Sequence, residues 1–250
     1  MSGALAGKAV LVTGGARRVG AAICRRLHAA GANVVVHYHR SAPDAQALLR
    51  DLNCLREDSL ALVCADLLTP GALPQLVKDT LAAFGRLDVL VNNASTFYPT
   101  PVGAINEQVW DDLIGTNLKV PLFLAQAAAP ALRKAQGSIV NIIDIHAELP
   151  MKNHLVYNTA KGGLLALTRS LARELGPQVR VNGVSPGTIL WPDDPAWQND
   201  LERQRIVNQT ALKRTGEPDD IARAVEFLIT APYVTGQIIA VDGGRSISIA

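Results

Sequence analysis

Short apolar runs recur along the chain at Ala9–Thr13, Asn33–Tyr38, Leu60–Cys64, Leu87–Val91, Ser138–Ile143, Arg180–Val184 and Gln237–Val241. They are rich in Val, Leu and Ile and mostly unbroken by polar residues, the pattern of strands covered on both faces. The stretches between them change period. Leu73, Leu76, Val77 and Leu81 fall at helical spacing, as do Leu164, Leu167, Leu171 and Leu175. Strands alternating with helices predict an α/β fold with a doubly wound, seven-stranded parallel sheet and helices on both faces. The apolar stretch from Leu122 to Leu132 is too short to span a membrane and predicts a buried or interface helix. Residues 185–213 break the rhythm. Pro186, Pro192 and Pro195 punctuate them, Trp191 and Trp197 fall within them, and a long irregular loop of this kind predicts a lid over a ligand.

Composition narrows the class. The chain has 250 residues, 48% of them hydrophobic and 18% charged. It is read as one domain over 1–250, large enough to form its own core without a disulfide or metal. Lys and Arg number 24 against 22 Asp and Glu, a net charge of +2, so no broad grip on nucleic acid is expected. No apolar run is long enough for a spanning helix and the first residues carry no secretory pattern. Cys24, Cys54 and Cys64 include no CxxC and read as reduced thiols of a cytoplasmic protein.

In a doubly wound sheet ligands sit beyond the carboxyl ends of the strands. The first strand leads into Thr13-Gly14-Gly15-Ala16-Arg17-Arg18-Val19-Gly20 and then an Ala-rich helix. A glycine-rich turn opening a helix lets backbone approach a pyrophosphate, which the helix N-terminus favours, as in a Rossmann fold. The usual GxGxxG spacing is absent, and Arg18 stands where a middle glycine is expected. The second strand ends in His37-Tyr38-His39-Arg40-Ser41. No carboxylate occurs from Val34 through Ala42 to take a ribose 2′-hydroxyl. Arg40 and Ser41 suit a 2′-phosphate instead, so the expected cofactor is NADPH. His37 and His39 share a strand face, but no third ligand stands at a useful spacing and no metal is expected.

Tyr157 and Lys161 are spaced i, i+4 at the start of an apolar helical stretch and share a helix face. A fixed ammonium beside the phenol, together with the positive nicotinamide of an oxidised cofactor, favours the phenolate and makes the tyrosine a usable proton relay.

Thr13-Gly14, Asn92-Asn93-Ala94, Asn117, Tyr157 with Lys161, and Pro186-Gly187 together resemble the short-chain dehydrogenase/reductase family from Lys8 to Gly244. The resemblance implies that Tyr157 donates a proton, that Lys161 holds the nicotinamide ribose and lowers the tyrosine pKa, and that Asn117 bends a helix and supports a water relay. It implies that Asp66 and Leu67 lie near the adenine, and that Gly14, Val19, His39, Asn93, Ala94, Pro186 and Gly187 contribute to the cofactor site.

Two departures matter. Arg18 replaces the turn glycine, and Asp144 stands thirteen residues before Tyr157, where the family usually has a carbonyl-binding Ser. An ionised acid only accepts hydrogen bonds and is a poor partner for a carbonyl oxygen. It suits a ring that presents N–H donors. These departures, with Ala16-Arg17-Arg18-Val19-Gly20, His37-Tyr38-His39-Arg40-Ser41 and the string from Asn92 to Pro101, resemble the pteridine reductases. That resemblance implies a pterin or folate substrate stacked on Phe97, with Arg18 and Ser95 near the pterin and the cofactor phosphates, and Asp144 and Tyr157 at the ring nitrogens. The rival readings are a reductase of 3-oxoacyl thioesters, which needs Ser or Thr at Asp144, and a non-catalytic NADP-binding regulator, which does not need both Tyr157 and Lys161. The family resemblance also implies a homo-oligomer, with a tetramer favoured.

Overall fold

The computed structural model describes residues 3–191 and 197–248. Its sheet contains β1 (Ala9–Val12), β2 (Asn33–Tyr38), β3 (Leu60–Cys64), β4 (Val89–Asn92), β5 (Ser138–Ile142), β6 (Arg180–Pro186) and β7 (Ile238–Val241). All pairings are parallel, in the order β3-β2-β1-β4-β5-β6-β7. Each strand falls on an apolar run of the sequence, with ends displaced by at most two residues.

Alternate strand residues serve two separate cores, as the pleat requires. Val10, Val12, Val34, Val36, Val89 and Val91 face α1 (Arg18–Ala29), α2 (Ala42–Leu55) and α8 (Pro218–Thr230). Leu11, Val35 and Leu90 face the other way, onto α3 (Ala72–Phe84), α5 (Val120–Ala135) and α6 (Leu155–Leu175). Burial on both sides explains why the strands read as continuous apolar runs. On the first face Arg26 of α1 ties down α8 through Glu226 at 2.6 Å and Asp219 at 3.3 Å. On the second, α5 buries Leu124, Ala125, Ala128 and Leu132 while Leu122 and Phe123 remain exposed, so the Leu122–Leu132 stretch is a one-sided helix.

The strand order reverses between β1 and β4, which open a crevice at their carboxyl ends. Between α4 (Glu107–Ile114) and α5 the helix widens into a π turn over Gly115–Lys119. Asn117 lies inside it.

The 185–213 segment is less irregular than expected. Its first two residues complete β6, and Asp200–Asn208 form α7, capped by the Asn199 side chain on the Leu201 and Glu202 amides. No residue of α7 is buried, so it has no apolar stripe by which its period could be read. Residues 192–196 of the expected lid, including Pro192 and Pro195, lie outside the described residues.

Candidate active site

The turn after β1 is held from three directions. Gly14 has a φ of +60°, and a Cβ there would meet Ala94 Cα at 3.1 Å. A Cβ on Gly20 would stand 2.2 Å from the Gly14 carbonyl oxygen, so the helix start and turn need two glycines to close together. Thr13 Oγ1 accepts from the Asn93 and Ala94 amides at 2.9 and 3.0 Å, and Asn93 Nδ2 donates to the Thr13 and Gly14 carbonyls. Asn93 therefore laces β4 to the turn. From β2, the Gly14 amide donates to His37 Nδ1 at 3.1 Å. That bond requires an unprotonated Nδ1, leaving Nε2–H to donate to the Ala65 carbonyl at 3.0 Å. Burial pushes the His37 pKa down and favours this neutral tautomer. His37, considered above only as a metal ligand, is a strut of the turn.

Around this turn runs a groove of about 770 Å³. It is lined by Gly14, Arg18, Val19, Asn93, Ala94 and Ser95 at the turn, by His39, Arg40 and Ser41 after β2, and by Asp66 and Leu67 after β3. The groove has the features a dinucleotide needs: a left-handed glycine, a helix N-terminus and close backbone approach. No carboxylate stands at the end of β2, where a ribose 2′-hydroxyl would be held.

Ser95 and Arg18 also line a second cavity of about 530 Å³. There they meet Phe97, Asp144, Tyr157 and Gly187, with Trp191 and Trp197 also in the lining and the Trp197 ring centre 6.2 Å from that of Phe97. Of the residues expected to hold cofactor, Tyr157 and Gly187 line this cavity and not the groove, while Lys161 and Pro186 line neither.

Tyr157 sits in the first turn of α6 and is 4% exposed. Its hydroxyl donates to Asp144 Oδ2 at 2.8 Å, and Asp144 Oδ1 caps the following short helix by accepting from the His146 amide at 2.9 Å. Without cofactor, the surroundings of Tyr157 favour the neutral phenol. Burial and the neighbouring carboxylate push the Tyr157 pKa well above 10, only partly opposed by the Ser95 hydroxyl. Buried and bonded to a carboxylate, the phenol acts as a hydrogen-bond donor. Lys161 stands 5.7 Å from the Tyr157 ring centre and donates to the Ile142 carbonyl at 3.0 Å. Burial lowers its pKa to about 8, against a smaller upward pull from Asp144.

Asn117 is 1% exposed. It accepts from Ser95 Oγ at 2.7 Å and donates to the Thr96 and Leu113 carbonyls. It fixes the loop carrying Ser95 and Phe97 and lines neither cavity. Phe97 stacks on His154 with ring centres 4.7 Å apart and meets Tyr157 edge-on at 4.9 Å. His154 covers one face of Phe97, and the ring also lines the cavity. Arg18 has a φ of +53°, which a glycine would adopt without strain. Its Nη2 donates to the Leu190 and Trp191 carbonyls at 3.2 and 2.9 Å, linking the turn to the segment after β6.

Sequence reasoning missed His146, His154, Thr188 and Arg245, and gave no role to Trp191 and Trp197. The tryptophans stack loosely, 6.3 Å apart, and Arg203 of α7 lies over Trp191 at 5.4 Å. Their clustering in one irregular segment was the one available signal. Arg245 follows the last strand, and nothing in its local sequence sets it apart.

Comparison with known proteins gives a consistent class. Residues 14–246 match the family described as Enoyl-(Acyl carrier protein) reductase. The chain is similar to Pteridine reductase 1 of Leishmania tarentolae, 39% identical over 96% of both chains. It is also similar to the 3-oxoacyl-acyl-carrier-protein reductase FabG of Staphylococcus epidermidis, 36% identical over 95% of this chain and 98% of the relative. The putative ketoacyl reductase 2 of granaticin polyketide synthase from Streptomyces violaceoruber is 37% identical over 94% of both chains.

Proposed function

Because this chain belongs to the short-chain dehydrogenase/reductase family and is an oxidoreductase, we propose that it reduces a dihydropterin or pterin with NADPH. The single observation that carries this reading is the 2.8 Å bond from the Tyr157 hydroxyl to Asp144. It puts an acceptor-only group where a carbonyl substrate needs a donor. A reduced pterin ring offers N–H groups to that carboxylate and takes up a proton at nitrogen.

When bound, the cofactor supplies the hydride. Gly14, Arg18, Asn93, Ala94 and Ser95 would hold its phosphates and nicotinamide half, Arg40 and Ser41 its 2′-phosphate, and Asp66 and Leu67 its adenine end. Lys161, mostly protonated at pH 7, would hold the nicotinamide ribose and supply positive charge there. Phe97 presents an aromatic face to a flat ring. Tyr157 keeps its proton until the ring nitrogen takes it, and the phenol is then restored by a proton that Asp144 takes up from solvent water and passes on. Asn117 keeps Ser95 and Phe97 in register.

The FabG-like relatives are nearly as similar in sequence, so the decisive assay sets two substrates side by side. NADPH oxidation is followed with dihydrobiopterin and with an acetoacetyl thioester. The pterin is expected to be reduced and the thioester not; turnover of the thioester alone would overturn the reading. A homo-oligomer, with a tetramer favoured, is part of this proposal. Phe123 of α5 and Leu155 at the start of α6 are exposed, and the expected solution mass is a multiple of the chain's 26.6 kDa. All three cysteines are free, which supports a reducing cytoplasmic setting.

A further inference from the structure

The substrate cavity contains a cation that the proton-delivery network does not use. Arg245 lies in the short helix Arg245–Ile247 after β7, and its side chain reaches back to the cavity wall. Nη1 donates to Thr188 Oγ1 at 2.8 Å, which fixes the guanidinium from one side. Among the described residues no carboxylate comes within 4 Å of it. Asp144 and Asp242 attract it only from beyond that distance. Both are otherwise engaged: Asp144 with Tyr157 and the His146 amide, Asp242 with the Gly244 and Ser246 amides. Burial pushes the Arg245 pKa down, a sign that water is partly withheld from it.

A partly buried guanidinium without a bonded carboxylate is an unfavourable state for the protein alone. It becomes favourable when a ligand supplies the anion, and its planar fork matches carboxylate or phosphate oxygens in pairs. His146 lines the same cavity. Its Nδ1 lies 2.8 Å from the Leu149 carbonyl, which makes Nδ1 the donor and leaves Nε2 for a ligand hydroxyl or acid.

We propose that Arg245 is a specificity-determining residue that binds an anionic group, carboxylate or phosphate, on the side chain of the substrate. The inference rests on the pterin reading above and names the class of pterin preferred: one whose tail carries negative charge, over one ending in neutral hydroxyls. Arg245 touches the tail and not the reacting ring, so its effect falls on KM and leaves kcat nearly unchanged.

The test uses full-length enzyme and three probes: a dihydropterin with a trihydroxypropyl side chain, its terminal phosphate ester, and dihydrofolate, whose tail ends in carboxylates. Wild type is expected to show a KM about 10-fold or more lower for an anionic probe than for the neutral one, on the scale of a charge-assisted contact. The better of the two anionic probes identifies which oxyanion the site takes. R245Q is expected to raise that KM about 10-fold, change the neutral KM less than 2-fold, and leave NADPH affinity unchanged; R245K recovers part of the loss. If R245Q raises the KM for neutral and anionic probes alike, Arg245 acts only as a strut for Thr188 and the inference fails while the pterin reading stands. A wild type with no preference for charge overturns it equally. If wild type reduces none of the three, the pterin reading fails and this inference with it.

Discussion

Lys161 is the residue at which fold stability and the proposed chemistry oppose each other most directly. It is 3% exposed, and burial lowers its pKa from 10.5 to about 8. At about 1.4 kcal/mol per tenfold change in proton affinity, holding the ammonium inside at pH 7 costs about 3 kcal/mol relative to the unfolded chain. K161M removes that penalty. It also removes the bond to the Ile142 carbonyl, worth about 1 kcal/mol net. The cofactor-free variant should therefore be more stable than wild type at pH 7 by about 2 kcal/mol, or roughly 4–8 °C in Tm for a chain of this size. The folded lysine binds its proton less tightly than the unfolded one. Wild type consequently gains stability as pH rises from about 8 to 10.5, and K161M lacks that gain. The two proteins should converge toward the top of this window. Denaturant unfolding at several pH values, without cofactor so that no ligand adds its own stabilisation, measures the difference. A K161M protein less stable than wild type at pH 7, or parallel stability curves across the window, would refute the reasoning. The same variant should lose at least about 100-fold in activity, the lower range for disabling acid–base machinery.

Other outcomes follow from the same geometry. D144S should lower kcat/KM for a dihydropterin by about 100-fold or more while NADPH affinity, read by fluorescence titration, stays within a few-fold; unchanged pterin turnover would remove Asp144 from the mechanism. Pterin reduction should decline as pH rises through about 8, where Lys161 loses its charge while Tyr157, held well above its ordinary pKa, is still a phenol. A rate flat from pH 5 to 9 would contradict that. Replacing Arg40 with Asp should move the cofactor preference toward NADH, seen as a fall of about 10-fold or more in the NADPH to NADH ratio of kcat/KM.

Much of this protein is legible along its chain because the relevant forces are local. The inner strand Asn33–Tyr38, buried over Val34–His37, and the edge strand Leu60–Cys64, only partly buried, can both be read to the residue from their apolar runs. The glycine turn at Gly14 and the i, i+4 pair at Tyr157 and Lys161 are set by backbone geometry within one element. Asp144 stands out by type alone. What the chain could not reveal depends on groups brought together from distant segments. The Tyr157 pKa is raised because the phenol is buried and bonded to Asp144, 13 residues earlier, and that placement follows from packing of α6 against the short helix Ile145–Ala147 after β5. α7 escaped notice because it buries no side chain and so leaves no period. His37 became a strut only when β1 and β2 paired in parallel and put an imidazole beside the Gly14 amide. Arg245 enters the cavity because β7 pairs with β6 and returns the last residues beside Thr188. Sequence determines which elements form, since each responds to its own neighbours. Tertiary structure decides which charges face one another, because electrostatic energy depends on separation in space and on withheld water.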